Sequence, residues 1–338
     1  MAIGTGDAVA ESIKEQSPHQ VWHPRLYERL RGRAYPLFVF GERVVPAAAI
    51  WAGARLWTAA FRDAGLVPGD RLALIVPPSA AFMQILVAAL WEGLTIAPFP
   101  VSENAENALL AADARLAIVP EGSPALPGVW QAAQVDGPFR TGELRSPRHA
   151  PSPDARFLLR TSGTTGGGGR WIALGDTGIL SVLGSHTPLL GIVEEQTHVL
   201  SSLPWHHAFG LLLDLLPALF SGAEIQRDGA GGRNIPALLD LADETGITYF
   251  SAVPLTIRRL AETGRGQQFL RGLSGGIVGG APVDENLAAF LSQTNLRVGY
   301  GQTEASPGIT LGGPGHWPGA GYLGTPLGCE TRIDPIRS

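Results

Sequence analysis

Apolar and polar positions follow two alternating periods along the first third of the chain. Segments with apolar residues at helical spacing predict helices, and short apolar runs bounded by turn residues predict strands. Helices are predicted over 46–66 and 80–94, strands over 71–77 and 95–101, and a further helix followed by a strand over 105–120. Because strands alternate with helices of this length, the order predicts parallel βαβ units.

A stretch rich in Pro, Gly and polar residues, roughly 121–155, interrupts this pattern and predicts a loop or linker. The alternation then resumes. Strands are predicted over 157–160, 247–254, 275–280 and 296–301, and helices over 236–246, 255–264 and 284–294. We therefore predict an α/β fold with two largely parallel β-sheets flanked by helices. The first lobe and linker would cover 1–155, and the second lobe 156–338.

Composition narrows the class of protein. Hydrophobic residues make up 45% of the 338 residues and charged residues only 16%, against about 25% charged in an average soluble domain, which favours a well-buried, enzyme-like body. The formal charge of −5 comes without a basic stripe, so no nucleic-acid partner is expected. The acidic N-terminus lacks the core of a secretory signal, and 80–94 is too short to span a bilayer. The single cysteine, Cys329, fits a reducing compartment, and we expect a cytoplasmic protein.

A loop made almost entirely of glycine and small hydroxyl residues follows the predicted strand 157–160, since residues 161–169 read TSGTTGGGG. Backbone N–H groups that glycines leave open can converge on an anion, and Ser and Thr hydroxyls add donors without bulk. The lysine of a Walker loop is absent, and no GxGxxG opens a helix after a strand. On composition alone, a phosphate-binding loop and a mobile surface linker both remain open.

Five further motifs follow this loop in a fixed order. They are LPWHHAFGL (203–211), YFSAVP (249–254), GGAP (279–282), GYGQTE (299–304) and GYLGTPLG (321–328). Together with TSGTTG, their order and spacing resemble the core motifs of the adenylate-forming superfamily, which comprises acyl- and aryl-CoA synthetases, adenylation domains of nonribosomal peptide synthetases, and luciferase. The resemblance covers about residues 40–334 and implies the architecture of that family's large domain.

The resemblance implies nucleotide-binding roles for the loop and for GGAP. The loop would close over the β- and γ-phosphates of ATP, and its matching residues are Thr161, Ser162, Gly163, Thr164, Thr165 and Gly166. The segment lining the adenine slot would be Gly279, Gly280, Ala281 and Pro282. In isolation GGAP reads as a strand-to-helix turn, with Asp284 as the N-cap of the next helix.

GYGQTE resembles the strand end that carries the nucleotide platform. Tyr300, with Gly301 beside it, would lie against adenine, and Thr303 would face the α-phosphate. Glu304 would bind Mg²⁺, a hard cation that prefers oxygen ligands. Without the surrounding motif, Glu304 would read as a solvated turn residue.

The resemblance also places the acyl pocket. His207 would separate this pocket from the nucleotide, although a histidine pair before a helix is more often a packing or capping feature. Amino-acid-activating members carry an aspartate just after this position, and the chain has none in 208–210, which favours an acid without an α-amino group. The predicted pocket wall consists of Trp205, His207, Ser251, Ala252 and Gly301.

Two departures separate the chain from the family pattern. Members continue TSGTTG with x-Pro-Lys, whereas three glycines and Arg170 follow here, so either the charge is lost or Arg170 reaches the phosphates and assists catalysis from one position later. The chain also ends soon after GYLGTPLG, before the ribose-binding aspartate, the hinge and the small domain that carries a catalytic lysine. We expect this C-terminal small domain to be absent or supplied by a partner.

The resemblance implies an ATP-dependent ligase. A substrate carboxylate would attack the α-phosphorus of ATP to give an acyl-adenylate and pyrophosphate, and a thiol of CoA or of a carrier-protein phosphopantetheine would take the acyl group. Two alternatives stay open because of the departures. One is a non-enzymatic module that binds a nucleotide or acyl-adenylate or regulates a relative, and the other is an enzyme that passes a preformed adenylate to a thiol or amine.

Overall fold

A computed structural model describes residues 18–41, 43–123, 127–132, 138–139, 144–161 and 170–332. The chain divides into two compact units. Unit 1 comprises the chain up to Gly178 together with Pro204–His207, and unit 2 comprises Ile179–Leu203 and the chain from Ala208 onward. The division lies downstream of residue 155, where composition places the lobe boundary, because the two strands that follow the Pro-rich stretch join the sheet of unit 1.

Unit 1 contains the helices and strands of the predicted βαβ region. Its helices are α1 His23–Leu30, α2 Ala47–Asp63, α3 Ala80–Glu92 and α4 Ala105–Ala112, and Asp176 begins α5 Asp176–His186. Its strands are β1 Pro36–Phe40, β2 Arg43–Pro46, β3 Arg71–Leu74, β4 Thr95–Pro98, β5 Leu116–Pro120, β6 Val129–Ala132, β7 Pro138–Phe139, β8 Phe157–Arg160 and β9 Trp171–Leu174.

The strands from β3 to β9 form one sheet in the order β7-β6-β5-β3-β4-β8-β9. The five central strands β6, β5, β3, β4 and β8 run parallel to one another. At the two edges, β7 pairs antiparallel with β6, and β9 pairs antiparallel with β8. The parallel centre confirms the βαβ prediction. Because parallel strands have their carboxyl ends at one edge of the sheet, Pro98 and Arg160 end their strands on the same side.

Helix α3 illustrates how the local sequence determines a helix of unit 1. Ser79 caps it by accepting a hydrogen bond from the Phe82 N–H at 3.2 Å, and Gly93 ends it in the left-handed conformation with φ of +72°. Every residue from Ala80 to Leu90 is buried, including Gln84. The apolar segment is therefore an internal helix. Within the described part of the chain, no helix combines the length and the apolar character needed to cross a bilayer.

A buried ion pair joins the start of β8 to the start of α5. The fully buried Arg156 donates from Nε and Nη2 to the two carboxylate oxygens of Asp176, each at 2.9 Å, and from Nη1 to the Leu94 carbonyl oxygen at 2.7 Å. Trp22 Nε1 donates to the same carboxylate at 2.6 Å. Charges removed from water are stable only when such partners replace the lost hydration. The pair therefore fixes four segments of unit 1 at one point.

Unit 2 contains the second run of predicted elements. Its strands are β10 His198–Ser201, β11 Glu224–Arg227, β12 Tyr249–Phe250, β13 Ile277–Gly279, β14 Arg297–Gly301, β15 Gly308–Leu311 and β16 Thr325–Pro326. Its helices are α6 Leu216–Ser221, α7 Ile235–Thr245, α8 Pro254–Ala261, α9 Gly264–Gly272 and α10 Glu285–Leu291. Asp284 caps α10 by accepting from the Leu287 N–H at 2.9 Å, which confirms its predicted role.

The strands of unit 2 pair in two groups. Strands β12, β10 and β11 are parallel neighbours, and β13 pairs parallel with β14. Strands β15 and β16 continue from β14 in antiparallel pairing, which the sequence did not predict. A parallel bridge between Ala252 and Val278 connects the groups. Behind them lies an apolar core that includes Leu200, Phe250, Val278, Leu291 and Trp317.

A π-helical segment, Phe209–Leu215, precedes α6. The wide turn is visible in the bond from the Leu216 N–H to the Leu211 carbonyl, five residues back instead of four. Pro217 follows at the start of α6, where it has no N–H to donate and its ring excludes a regular ladder to the preceding turn. We attribute the π-helical turn to this proline. Turns of this kind occur frequently at functional sites.

Replacing Arg156 by Met should lower the free energy of unfolding of unit 1 by about 3–5 kcal/mol, because the Asp176 carboxylate would stay buried without its cation. Urea unfolding followed by tryptophan fluorescence measures the change.

Arg265 supplies the matched control, since it pairs with Asp240 and Asp243 on the surface of unit 2. Its replacement by Met should leave the unfolding midpoint nearly unchanged, because exposed pairs contribute little. If both variants unfold at the wild-type midpoint, the Arg156–Asp176 pair has no stabilising role.

Candidate functional site

A pocket opens in unit 2 at the carboxyl ends of β13 and β14, and its cavity volume is about 60 Å³. Gly279 and Gly280 form one part of its lining, and Gly299, Tyr300 and Gly301 form another. Because β13 and β14 are parallel, the two glycine-containing segments emerge side by side. The structure thus brings together Gly279, Gly280, Tyr300 and Gly301, which the motifs predict as nucleotide-binding residues.

The glycines are required here by close packing of the backbone. A Cβ on Gly301 would stand 1.7 Å from the Pro307 carbonyl oxygen, and one on Gly279 would stand 2.5 Å from the Gly299 carbonyl oxygen. Gly280 has φ of +84°, a conformation that residues with a side chain rarely adopt. These positions therefore present bare backbone to the pocket, because neighbouring backbone occupies the space that a side chain on Gly279 or Gly301 would need.

The far wall of the pocket is apolar. Phe209 and Leu213, four residues apart in the π-helical segment, line it together with Ile277, Pro307 and Leu311. Positions four apart lie close to one face of a helix, so both side chains face the pocket. The pocket therefore combines a glycine wall with an aliphatic and aromatic wall.

Tyr300 and the turn after it lie at the solvent side of this unit. Tyr300 is 43% exposed although it lines the pocket, so one part of its ring remains available. Thr303 and Glu304 follow in a short 3₁₀ turn, Thr303–Ala305, where Thr303 is half-buried and Glu304 is exposed. Ala281 and Pro282 are also exposed, on the loop that continues from Gly280.

Glu304 matches the donor type expected of a magnesium ligand, and Mg²⁺ usually uses one or two carboxylates together with water and phosphate oxygens. No group of three or more His, Cys, Asp or Glu side chains in the described ranges is arranged to hold a metal ion by itself. A single exposed carboxylate fits a metal that is shared with a phosphate-bearing substrate.

A second pocket, with a cavity volume of about 310 Å³, lies in unit 1 at the carboxyl ends of β4 and β8. It is lined by the segment Pro98–Pro100, by Arg160 and Thr161 at the end of β8, and by His206 and His207. His207 is exposed, yet protein atoms displace part of the water around its imidazole, and this desolvation lowers its pKa. Its neutral form is therefore favoured near neutral pH.

Thr161 and Arg170 are paired at the base of the glycine–hydroxyl loop. The Thr161 N–H donates to the Arg170 carbonyl oxygen at 2.9 Å, and the Arg170 N–H donates to Thr161 Oγ1 at 3.1 Å. The pair extends the antiparallel ladder of β8 and β9, so the loop joins two hydrogen-bonded strands. Arg170 itself is exposed. Ser162, Gly163, Thr164, Thr165 and Gly166 lie outside the described residues.

Three residues predicted for the acyl pocket wall lie elsewhere. Trp205 is fully buried in unit 1, with its ring centroid 5.2 Å from that of Phe82 and 6.0 Å from that of Phe38, so we assign it to the core. In unit 2, Ser251 and Ala252 are buried behind β13, where Ser251 Oγ accepts from the Ile277 N–H at 3.2 Å. Ser251 and Ala252 do not line the pocket, because the segment after β12 packs against β13.

Several pocket residues carried no recognisable sequence signal. His186 and Thr310 line the pocket of unit 2 but belong to no motif, and Phe99, Arg160 and Trp171 line the pocket of unit 1. Phe209 belongs to the motif LPWHHAFGL, and Pro307 follows GYGQTE closely, so the motifs were the available indication for these two residues.

A buried polar cluster lies behind the apolar pocket wall in unit 2. Ser201 Oγ donates to Asp214 Oδ2 at 3.0 Å, and Arg227 Nη1 donates to the carbonyl oxygens of Ser201 and Leu203 at 2.9 and 2.8 Å. Burial raises the pKa of Asp214 to about 7, although the Ser201 hydrogen bond and the positive charge of Arg227 act in the opposite direction. Asp214 lies next to the pocket-lining Leu213, so its ionisation changes the charge of the layer supporting the pocket.

The described geometry can be compared with known proteins. The family model of AMP-binding enzymes matches residues 48–335, and the chain belongs to this family. This confirms the resemblance on which the motif assignments depend.

Particular relatives agree with this assignment. A feruloyl-CoA synthase from an Amycolatopsis species is 27% identical over 270 residues, which cover 74% of this chain and 52% of the relative. The chain thus spans about half the length of this curated relative.

Solved structures share the fold. The N-terminal subdomain of NpsA from Klebsiella oxytoca, in complex with 3-hydroxybenzoyl-AMSN, superposes with a TM-score of 0.73 at 20% identity, covering 92% of this chain and 80% of that one. The artificially fused di-domain NpsA-ThdA, an adenylation domain joined to a PCP, superposes with a TM-score of 0.72 at 20% identity, covering 92% and 64% of the two chains. These likenesses confirm the predicted mixed α/β fold.

Replacing Asp214 by Asn should change how stability depends on pH. The native pKa of Asp214 is raised above its ordinary value of about 4, so between about pH 4 and pH 7 the folded chain keeps a proton that the unfolded chain loses. This group therefore lowers the free energy of unfolding as pH rises through that window, by up to about 1.4 kcal/mol per pH unit. Asp214→Asn has a neutral side chain at every pH. Its free energy of unfolding should therefore increase relative to that of wild type as the pH rises from 5 to 8.

Urea unfolding midpoints at both pH values test this. Asp243→Asn removes the charge of an exposed carboxylate in the same unit and is the control. Its stability relative to wild type should change much less between pH 5 and pH 8. If wild type and Asp214→Asn respond in parallel to pH, the carboxyl group of Asp214 is ionised in the folded protein well below pH 7.

Proposed function

We propose that the chain activates a carboxylic acid without an α-amino group as an acyl-adenylate, using ATP and releasing pyrophosphate. The acyl group would then pass to CoA or to the phosphopantetheine thiol of a carrier protein. The observation that carries the proposal is the unit 2 pocket, in which bare backbone of Gly279, Gly280 and Gly301 lies beside Tyr300 at adjacent strand ends. Membership of the AMP-binding family supplies the chemistry expected of this arrangement.

Each part of the pocket has a role in this proposal. Tyr300 would lie against adenine, with Gly280, Ala281 and Pro282 along the edge of the base. The partial exposure of Tyr300 supports this role, because an aromatic ring that stacks on a ligand must keep one face accessible. The apolar wall formed by Phe209 and Leu213 would hold the acyl group.

Residues of unit 1 would act on the phosphates and the carboxylate. The loop from Thr161 to Gly166 would bind the β- and γ-phosphates, and Arg170, exposed at the base of that loop, would supply the positive charge that lysine provides in other members. His207 would lie between the acyl site and the nucleotide. A neutral imidazole suits this place, because it can donate a hydrogen bond without attracting the carboxylate away from the α-phosphorus.

Thr303 and Glu304 would face the α-phosphate and hold Mg²⁺. A bound magnesium ion neutralises phosphate charge, which lowers the barrier for an anionic carboxylate to approach. Thr303 would hold the α-phosphate through its hydroxyl. Both the nucleophile and the phosphate are anions, so the residues contribute mainly by positioning and by hydrogen bonding to developing charge.

The acceptor and the partner also belong to the proposal. The curated relatives are named for CoA thioester synthesis, and one structural relative is fused to a PCP. Because the chain spans about half of its curated relative, we propose that a small domain completes the reaction, supplied in the same protein or by a partner.

Pyrophosphate exchange tests the proposal. The chain is incubated with ATP, Mg²⁺, labelled pyrophosphate and a panel of aryl and aliphatic carboxylic acids, with and without a separately expressed small domain of a full-length relative. We expect label to enter ATP only when a suitable acid is present. Binding of ATP or acyl-adenylate analogues without exchange under any condition would favour a non-enzymatic binding module, and absence of both would overturn the assignment.

Replacing Tyr300 by Ala should weaken binding of an acyl-sulfamoyl adenosine by about tenfold or more, since base–aromatic stacking contributes about 1–3 kcal/mol. Isothermal titration calorimetry measures the dissociation constants. Tyr300→Phe keeps the ring and should bind nearly as wild type does. Equal affinities for the Ala variant and wild type would place adenine elsewhere.

A further inference from the structure

A buried hydrogen bond joins the two ends of the loop that carries one wall of the unit 2 pocket. The loop leaves β10 after Ser201 and returns through the π-helical segment to Asp214, and Phe209 and Leu213 within it line the pocket. Ser201 Oγ donates to Asp214 Oδ2 at 3.0 Å, across 13 positions of the chain. Side chains therefore close the loop at its base. The roles proposed above involve the pocket-lining residues of the loop but neither of its ends.

Arg227 fixes the end at which the loop leaves the sheet. It lies opposite Ser201 in the parallel pairing of β11 with β10. Its Nη1 donates to the carbonyl oxygens of Ser201 and Leu203 at 2.9 and 2.8 Å, and Ser201 Oγ lies 3.3 Å from the same nitrogen. One guanidinium nitrogen thus holds the backbone where the loop begins and also contacts the hydroxyl that reaches Asp214.

This cluster is charged and deeply buried. Asp214 is 2% exposed and Arg227 is 8% exposed. Burial lowers the pKa of Arg227, although the negative charges of Asp214 and Asp228 act in the opposite direction. The carboxylate of Asp228 also accepts from the backbone N–H groups of Ala230 and Gly232. Because apolar side chains of similar volume often stabilise a protein as well as buried ions do, stability alone does not account for the cluster. Its directional hydrogen bonds instead favour a single geometry of the loop.

The nucleotide half of the pocket is built on other strands. Gly279 ends β13 and is followed by Gly280, whereas Tyr300 and Gly301 end β14, which pairs parallel with β13. Loss of the buried hydrogen bond would therefore act first on the apolar wall formed by the loop. The glycine wall and Tyr300 would keep the strand pairing that positions them.

We propose that Ser201 and Asp214 are positioning residues for the acyl half of the site, and that Arg227 supports them by fixing Ser201. Their hydrogen bond holds the π-helical segment in the orientation in which Phe209 and Leu213 both face the pocket. Without the bond this orientation is populated for only part of the time, and the apparent dissociation constant of an acyl ligand rises by the inverse of that fraction. The inference rests on the proposed function, because it assumes that the apolar wall holds the acyl group of the adenylate.

Calorimetry with two kinds of ligand tests this. AMP occupies the nucleotide half alone, whereas benzoyl-, butanoyl- and octanoyl-sulfamoyl adenosine also carry an acyl group, and the conjugate that wild type binds most tightly is used throughout. Ser201→Ala removes the hydroxyl without changing any charge. We expect this variant to bind the conjugate about tenfold more weakly and AMP as wild type does. Asp214→Leu, which cannot accept a hydrogen bond, should have the same effect.

Three comparisons separate positioning from loss of folded structure. Asp214→Asn retains an oxygen that accepts from Ser201, so the ratio of the two dissociation constants should stay close to that of wild type. The double variant Ser201→Ala/Asp214→Leu should be no weaker than the more affected single variant, because both changes remove one shared bond. Ser292→Ala is the matched control, since Ser292 is an exposed serine of unit 2 that donates to the Ala289 carbonyl, and it should alter neither constant.

Thermal unfolding establishes that each variant is folded at the assay temperature, and Ser201→Ala decides the result if Asp214→Leu does not fold. The ratio of the constants for the conjugate and AMP is the readout, because a general loss of stability would not change binding of one ligand selectively.

The outcomes distinguish the two proposals. If wild type binds neither AMP nor a conjugate, the proposed function fails. If wild type binds both, but folded Ser201→Ala keeps the wild-type preference for the conjugate or loses affinity for both ligands equally, the positioning role is wrong and the proposed function stands. A conjugate that wild type binds no more tightly than AMP would also contradict the positioning role, since the apolar wall would then hold no acyl group.

Discussion

The buried pair of Arg156 and Asp176 is the constraint on which the geometry of unit 1 depends. Two charges can leave water only where hydrogen bonds replace their hydration, and here Asp176 at the start of helix α5 and the Leu94 carbonyl before β4 accept from Arg156, while Trp22 donates to Asp176. Strand β8 is held beside β4 at its start. Its end, Arg160 and Thr161, consequently emerges at the same sheet edge as Pro98–Pro100 and forms the pocket there.

Both units present their candidate site at the carboxyl ends of parallel strands. In unit 1 the strand ends carry a threonine, an arginine and the neighbouring histidines, and in unit 2 they carry glycines and a tyrosine. Side chains at such an edge project beyond the strands, so they can contact a ligand without weakening the sheet.

Much of the fold could be predicted from the sequence, because burial on a sheet or under a helix imposes periodicity directly. Helix α3 and strands β3 and β4 follow from the spacing of apolar residues. Strands β15 and β16 could not be predicted, since Gly308–Leu311 and Thr325–Pro326 are short and pair with a neighbour that periodicity does not identify. The lobe boundary at 155 remains a prediction from composition. A stretch rich in Pro, Gly and polar residues predicts a loop, but it does not indicate which sheet the next strand joins.

For the site, motifs indicated Tyr300 and the glycines of both strand ends, which share one pocket. Trp205 illustrates the limit of motif reasoning, because a position next to a functional histidine does not reveal whether its own side chain faces a ligand or the core. His186 lies far along the chain from the strand-end motifs with which it shares a pocket. Only tertiary packing brings it there.

Pro217 gives the π-helical turn a wider significance. It lines neither pocket, yet the amide hydrogen that it lacks decides how Phe209 and Leu213 are rotated about their helix axis. A residue able to donate at this place would let the turn tighten and would change the orientation of Leu213 relative to Phe209. Divergence in substrate choice could thus arise through one backbone atom outside the cavity, with every contacting side chain preserved.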